Sequence, residues 1–244
     1  MFKKILFLSF LLFFQNSYLY SREFNYKVYG LNINFLKIKF HISNNKLYAV
    51  INSRGLTDYF IKSKNIIQTT LDRKNNSLNY YFNSQSKGKE KTYFFKKINN
   101  RVKIENIKLN KGEDFKKIKK RDLFNIFDPL SATGSLLFSN TLNSKCNDSK
   151  KIYDGDDVYL IYLTKNKIKK SYIKFKNTKF IINFSCKLNY KAISGHKLKR
   201  EKKLNSMYLD VYFSKIVNDI VPVYFETRAK LVPLKMYLST NLTP

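Results

Sequence analysis

The residues that could carry out chemistry are few, and the two cysteines are the clearest of them. Cys146 and Cys186 are the only thiols in the chain, and in an oxidising compartment two cysteines most simply form one disulfide. The bond would close a loop of about 40 residues, for which chain entropy gives at most about 4 kcal/mol. A free, redox-active or metal-binding pair is the alternative. Because the chain has no Cys-x-x-Cys and a structural zinc site needs four nitrogen or sulfur ligands, we predict a disulfide and no metal site.

The acidic segment Tyr153–Asp157 carries three aspartates around Gly155. Closely spaced carboxylates suit a hard cation such as calcium, but the segment lacks the alternate oxygen ligands and the distal glutamate of a regular calcium loop. Asp-Gly between two apolar stretches is a strong signal for a hairpin turn. We therefore predict a turn between two strands here.

No catalytic constellation is recognisable. Ser131 and Ser135 lack the Gly-x-Ser-x-Gly setting of a nucleophile, and neither of the two histidines, His41 and His196, lies near them in the sequence. The chain also has no His-Glu-x-x-His, no phosphate-binding loop and no dinucleotide fingerprint. We predict a non-enzymatic protein with no catalytic residues and no cofactor. A hydrolase built on carboxylates that folding brings together is a less favoured alternative.

Strands of alternating polarity must position these groups. From Leu36 to Ile42, apolar side chains alternate with Lys37, Lys39 and His41, which indicates a half-buried strand. The same period predicts strands at Lys46–Asn52, Leu78–Phe82, Thr92–Phe95, Val102–Ile107, Val158–Leu163, Phe180–Leu188, Leu209–Phe213, Ile220–Lys230 and Leu231–Thr240. Strands at this spacing, separated by Asn- and Gly-containing turns, are typical of an antiparallel meander. We predict a mainly β fold: a single large curved antiparallel sheet that forms an open barrel or half-barrel.

One segment departs from the alternation. Asp128 and Pro129 are a favourable N-cap and first helical residue, and Leu130 and Phe138 can share one face at helical spacing. We predict one short helix over 129–139 that packs on the sheet. Gly134 lowers the helix propensity of this segment.

The first residues have the layout of a secretory signal. Met1–Lys4 is positively charged, Ile5–Phe14 is almost wholly apolar, and Gln15–Ser21 is polar and mixed. An apolar run of about ten residues is shorter than the roughly twenty needed to span a bilayer. We predict a cleaved signal peptide over 1–21, with an uncleaved N-terminal anchor as the alternative, and a single exported β domain over 22–244 in the periplasm.

The chain carries a formal net charge of +30. Such a charge indicates a surface for polyanions, meaning nucleic acid or anionic lipid, or a compositional bias of the kind that an AT-rich genome imposes. The basic residues are mostly lysine, whereas planar recognition of phosphate favours arginine. Export also argues against nucleic acid. We expect no nucleic-acid partner and an attraction to anionic envelope surfaces.

The order of several short motifs resembles a known family. Tyr26–Gly30 begins the mature part, Asp128–Ala132 opens the predicted helix, and Tyr153–Gly155, Ile193–Gly195 and Val221–Val223 follow. Together with the two cysteines, they resemble the domain of unknown function 3108 family, in particular its exported proteobacterial members, over about residues 26–240. The resemblance implies an exported, β-rich envelope protein and supports the pairing of the cysteines, and it supplies no catalytic residues. Asp156 and Asp157 depart from the basic residues that the family favours after Asp-Gly, which puts in doubt any function that relied on positive charge there.

These observations favour a protein that binds a component of the cell envelope. An open barrel is similar in shape to periplasmic carriers of lipids and lipoproteins, and a concave apolar face that its own side chains leave unfilled would be a ligand site. We therefore expect a lipid, a lipoprotein or another amphipathic molecule as the partner. A structural or assembly factor with a protein partner is the alternative. The aromatic side chains available to line such a face, or simply to fill the core, are Tyr80, Tyr81, Phe82, Tyr93, Phe94 and Phe95.

Overall fold

The computed structural model of the protein describes residues 21–55, 58, 60, 62–72, 74–99, 101–110, 118–138, 146–167, 170–216, 219–227 and 233–239. The predicted signal peptide, 1–21, lies outside these residues except for Ser21.

Antiparallel strands dominate the described residues. The strands are β1 (Arg22–Gly30), β2 (Ile33–Ile42), β3 (Lys46–Ser53), β4 (Ser63–Asp72), β5 (Ser77–Ser86), β6 (Lys89–Ile98), β7 (Arg101–Lys108), β8 (Ser149–Tyr153), β9 (Val158–Lys165), β10 (Tyr172–Phe175), β11 (Thr178–Ile181), β12 (Phe184–Ser194), β13 (Tyr208–Ile216), β14 (Asp219–Thr227) and β15 (Leu234–Leu238). Thirteen of them form one sheet in the order β7-β6-β5-β4-β3-β2-β1-β15-β14-β13-β12-β9-β8, and β10 and β11 form a separate hairpin. The predicted single large antiparallel sheet is confirmed, and its edge strands, β7 and β8, do not pair with each other.

The two ends of the strand meander meet in the middle of the sheet. β1 pairs with β15, so that Tyr26 lies opposite Leu238. The Tyr26 hydroxyl is buried and donates to the carbonyl oxygen of Pro222 in β14, at 2.8 Å. Burial of this phenol raises its pKa well above the ordinary value, because the charged form would lose its hydration. The junction is thus held by ladder hydrogen bonds and by one buried side-chain bond.

Several strands, among them β1, β4 and β10, were not predicted, and one predicted strand is divided. β4 was not predicted, because two adjacent isoleucines, Ile66 and Ile67, interrupt its alternation and most of its side chains are half-buried on both faces. The predicted strand Phe180–Leu188 is divided between β11 and β12. Asn183 causes the break, since its backbone N–H bonds to Phe213 and its side-chain oxygen accepts from the N–H of Lys215.

The helix α1 (Pro129–Leu137) confirms the predicted helix, which ends two residues earlier than expected. Oδ1 of Asp128 accepts from the N–H groups of Leu130 and Ser131, which satisfies two of the free donors at the helix start. The hydroxyl of Thr69 in β4 donates to the same oxygen. Asp128 therefore both caps α1 and fixes it to the concave face of the sheet.

A second helix, α2 (Leu198–Asn205), was not predicted, and a short 3-10 helix covers Lys120–Leu123. The sequence of α2 reads Leu-Lys-Arg-Glu-Lys-Lys-Leu-Asn, and none of its residues is buried. A helix without an apolar stripe gives no periodic signal in the sequence. The predicted helix is therefore present, and α2 is an additional helix that the sequence pattern did not indicate.

Side-chain packing covers the opening between the two edge strands. Tyr153 of β8 packs against Phe95 of β6 at 5.3 Å between ring centroids, and Phe95 packs against Tyr80 of β5 at 4.6 Å. The N–H of Phe127 donates to Lys151, and its carbonyl oxygen accepts from the N–H of Tyr153, so this segment covers the β8 edge. β8 is the last strand in the sheet order, whereas β5 and β6 lie near the first. Because Tyr153 and Phe95 are nevertheless in contact, the sheet must curve through most of a barrel.

The predicted disulfide is present. Cys146 and Cys186 are bonded, and both are buried. The bond links Cys146, in the segment just before β8, with Cys186 in β12. It lies in the main hydrophobic cluster, together with residues of β1, β13 and β14. It therefore fixes the side of the barrel on which β8 and β9 stand.

Candidate ligand-binding cleft

A cleft of about 360 Å³ lies between α1 and one end of strands β2 to β6. It is lined by Ile42, Leu47, Leu71, Leu78, Lys97, Phe127, Ser131, Gly134, Ser135 and Phe138. Its volume is at the lower end of the range for small-molecule sites, which begins at about 300 Å³. Aliphatic and aromatic side chains form most of the wall, so the cleft suits an apolar chain.

The sheet wall is a row of side chains that runs across the strands. Ile42 lies opposite Leu47, and Leu71 lies opposite Leu78. Leu78 in turn lies opposite Lys97. Paired residues share one face of a sheet, so the register places these side chains side by side on the concave face. The row is aliphatic until it reaches β6, where it ends in one cation.

The helix wall is one face of α1 and its C-terminal residue. Ser131, Gly134, Ser135 and Phe138 recur at intervals of three and four, which places them on one side of the helix. They extend about 10 Å along the helix axis. The Phe138 ring stacks on Phe40 at 5.0 Å between centroids, and this contact closes one end of the cleft.

Gly134 keeps the middle of the cleft open. A Cβ at this position would lie 3.5 Å from Cδ1 of Leu47, an ordinary van der Waals contact. The backbone of Gly134 is helical, so no positive φ requires a glycine here. A glycine inside a helix costs about 1 kcal/mol relative to alanine. Its effect on the structure is therefore to leave space between α1 and β3.

The other end of the cleft is polar. Nζ of Lys97 donates to the carbonyl oxygen of Ile126 at 2.7 Å and lies 5.2 Å from the centroid of the Phe127 ring. Burial lowers the pKa of this ammonium group, and the charge of Asp128 opposes the shift. Oγ of Ser131 is buried without a hydrogen-bond partner in the described part of the chain. The cleft thus combines an apolar length with a polar end.

A second cleft lies at the opposite ends of the strands. Its volume is about 680 Å³, and it is lined by Asn52, Ser53, Arg54, Asp58, Lys62, Ser63, Lys64, Gln85, Ser86, Lys87, Gly88, Lys89 and Glu90. Polar and charged residues form nearly all of this wall. No aliphatic or aromatic residue is among those that line it, so it lacks a row like the one under α1 and is the poorer candidate for an alkyl chain.

The six predicted aromatic residues do not line the cleft under α1. Tyr80, Tyr93 and Phe95 are buried in the core of the sheet, in agreement with the simpler alternative. The sheet wall of the cleft is mostly aliphatic, and its side chains come from strand ends. Strand ends have weak alternation, so no pattern in the sequence singles out Leu71 and Leu78 as one surface.

The acidic segment forms the predicted turn of the β8–β9 hairpin, in which Tyr153 pairs with Val158. Oδ1 of Asp154 accepts from the N–H groups of Asp156 and Asp157. Burial raises the pKa of Asp154 above its ordinary value; the hydrogen bonds from the N–H groups of Asp156 and Asp157 oppose this shift, and the negative charges of the same two residues add to it. No group of three or more possible metal ligands occurs among the described residues.

A buried contact between a histidine and a carboxylate, which the sequence did not indicate, joins this turn to α2 and its preceding loop. Nε2 of His196 lies 3.6 Å from Oδ2 of Asp157, and the two side chains are 1% and 2% exposed. The hydroxyl of Tyr190 contacts the same nitrogen, and the exposed side chain of Arg200 lies 3.5 Å from the same carboxylate. These groups lie outside the walls of both clefts, and the histidine and the carboxylate are shielded from solvent, so the arrangement connects parts of the fold. Neither histidine lies beside Ser131 or Ser135.

Comparisons with known proteins find similarity to solved structures alone. No protein-family model matches this sequence, and no curated protein matches it. A crystal structure described as a beta-barrel-like protein of domain of unknown function DUF1849 from Brucella abortus is similar with a TM-score of 0.46 and 8% identity, over 90% of this chain and 95% of that chain. A similarity of this size does not establish a shared family or function. Membership of the domain of unknown function 3108 family stays a prediction.

The helices in the described part of the chain are too short and too polar to be candidates for crossing a membrane.

Proposed function

We propose that this protein is a non-enzymatic binding protein of the cell envelope, and that the cleft under α1 holds the alkyl chain of an amphipathic molecule. The observation that carries the proposal is the aliphatic row of Ile42, Leu47, Leu71 and Leu78, which faces a helix wall left open at Gly134. The cleft has an apolar wall for an alkyl chain and a polar end, at Lys97, for a headgroup, which are the two parts that an amphipathic ligand needs.

The energetics of the cleft support this proposal. Apolar surface in contact with water is unfavourable, and side chains that border a gap lose dispersion contacts. A helical glycine adds a further cost of about 1 kcal/mol. Three features that each lower the stability of the empty protein therefore coincide at one place. Such local costs are typical of functional sites.

The proposal includes export to the periplasm. It is supported by the signal-like residues 1–21 and by the disulfide, since disulfides persist in oxidising compartments. The net charge of +30 supports a further part of the proposal, an attraction of the protein to anionic envelope surfaces. The similarity of short motifs to the domain of unknown function 3108 family is consistent with this location.

The substitution Gly134→Leu tests the proposal, because its side chain would extend from the helix into the cleft. The full-length chain is expressed with its own N-terminus, recovered from the periplasm, and examined by native mass spectrometry and lipid extraction. We expect the unsubstituted protein to retain a small amphipathic molecule and Gly134→Leu to retain none. The variant is expected to melt at the same temperature or higher, because it replaces a helical glycine.

Thr133→Leu is the matched control, since Thr133 lies on the same helix outside the cleft wall. It adds a leucine of the same size and is expected to retain the ligand. Equal ligand content in all three proteins would contradict the proposal. A ligand-free mass for the unsubstituted protein, together with a co-purifying protein, would favour the alternative of an assembly factor.

A further inference from the structure

We propose that the cleft under α1 selects single-chain amphiphiles with an anionic headgroup, which binds at the Phe127 end beside Lys97. This inference rests on the proposed function and names the class of ligand for the same site.

Two ammonium groups lie against one aromatic ring at this end. Nζ of Lys97 is 5.2 Å from the centroid of the Phe127 ring, and Nζ of Lys150 is 5.4 Å from it. Phe127 itself forms part of the cleft wall. The two ammonium groups repel each other, and an anion bound at this end would relieve that repulsion.

Two carboxylates lie beside the two lysines at this end. Lys150 pairs with Asp148 at 3.0 Å. Asp128 attracts Lys97; its Oδ1 accepts from the start of α1 and from Thr69, and its Oδ2 is buried without a hydrogen-bond partner in the described residues. Lys151, the neighbour of Lys150 on β8, lies on the opposite face of the strand, and its Nζ is 3.3 Å from the carbonyl oxygen of Phe124. The two pairs of charges balance, so the selection of an anion depends on the hydrogen-bond donors that face the cleft.

Hydrogen-bond donors are also available for a headgroup. An ammonium group has three N–H donors, and the Ile126 carbonyl takes one of those on Lys97. The Ser131 hydroxyl, buried in the cleft wall without a partner in the described residues, can donate another bond. An anionic oxygen accepts such bonds more strongly than an uncharged one. A trimethylammonium headgroup cannot accept these bonds, and an uncharged hydroxyl group would gain only ordinary hydrogen bonds.

The test uses three probes with the same alkyl chain: dodecanoate, dodecanol and dodecyltrimethylammonium. Each is titrated into the delipidated full chain by calorimetry, below its critical micelle concentration. We expect dodecanoate to bind most tightly and the cationic probe most weakly. Lys97→Met is expected to weaken dodecanoate by about tenfold, the value of one hydrogen bond to a charged group, and to leave dodecanol unchanged.

Lys96→Met is the matched control, because Lys96 is the neighbour of Lys97 on β6 and points to the opposite face. It removes the same charge and is expected to leave all three affinities unchanged. Lys150→Met provides a second test, should loss of the Ile126 contact prevent Lys97→Met from folding. It is expected to weaken dodecanoate alone.

The outcomes separate this inference from the function on which it rests. Equal binding of dodecanoate and dodecanol, unaffected by Lys97→Met or Lys150→Met but lost in Gly134→Leu, would overturn the headgroup selection and leave the cleft as an alkyl site. Absence of binding by every probe, or binding that Gly134→Leu does not change, would overturn both proposals.

Discussion

Replacing Cys146 and Cys186 together by alanine is expected to lower the free energy of unfolding by as much as about 4 kcal/mol, from the chain entropy of the loop. The two residues are 40 apart in sequence, and the loop between them contains β8 to β11. Without the bond, the unfolded chain regains the freedom of this loop. The native state also loses a buried contact between the segment before β8 and β12.

Urea denaturation followed by far-ultraviolet circular dichroism measures this effect. The unsubstituted protein is measured with and without a reductant that acts on the unfolded chain, and the double variant serves as the control that the reductant cannot change. Reduction is expected to bring the unsubstituted protein close to the double variant. Coincident curves for the oxidised protein and the double variant would show that the bond does not stabilise the fold.

Gly155→Ala is expected to lower the free energy of unfolding by about 3 kcal/mol or more, through positive-φ strain and overpacking combined. Gly155 has φ +105°, and a Cβ there would lie 2.6 Å from Cγ of Tyr93. Tyr93 is buried and stacks on Phe82 at 6.0 Å between centroids. The ring therefore has no free space into which it could move.

Gly88→Ala separates the two causes, because Gly88 also has a positive φ, +73°, but a Cβ there would meet no atom within 4 Å. It is expected to cost about 1 kcal/mol, the strain alone. The difference between the two variants, measured by the same denaturation, reports the packing of the β8–β9 turn against β6. Equal losses would contradict the claim that this turn closes tightly onto Tyr93.

Local patterns in the sequence predicted those parts of the fold in which one face of an element is buried. β2 and β3 alternate clearly because their apolar side chains face the concave side. α1 was predicted from its N-cap, Asp128, because a cap bonds to N–H groups only two or three residues away in the sequence. α2 was not predicted because its residues are mostly charged and none is buried, so its sequence has no periodic apolar pattern.

Long-range contacts had no comparable signal. The pairing of β1 with β15 and the contact of Tyr153 with Phe95 depend on how the whole sheet curves. The cleft also depends on long-range contacts, since it forms only where α1 lies across the row of side chains from Ile42 to Lys97. In the sequence, Gly134 only lowers helix propensity. Its effect on the cleft follows from the position of Leu47, which comes from a different part of the chain.

The contact of Asp157 with His196 shows the same limit. The motifs Tyr153–Gly155 and Ile193–Gly195 were each short and uninformative in isolation. The structure brings them together, because a Cβ on Gly195 would lie 2.7 Å from the carbonyl oxygen of Asp156. Sequence spacing alone gives no account of such a close approach.

A crystal structure of the chain with a fatty acid brominated at its terminal carbon tests the central claim most directly. The anomalous signal of bromine gives the position of the chain end without interpretation of weak density. We expect the bromine between α1 and β3, near Gly134 and Phe138, with the carboxylate beside Lys97. A bromine position outside this cleft, or a cleft that side chains of the protein fill in the crystal, would contradict the claim.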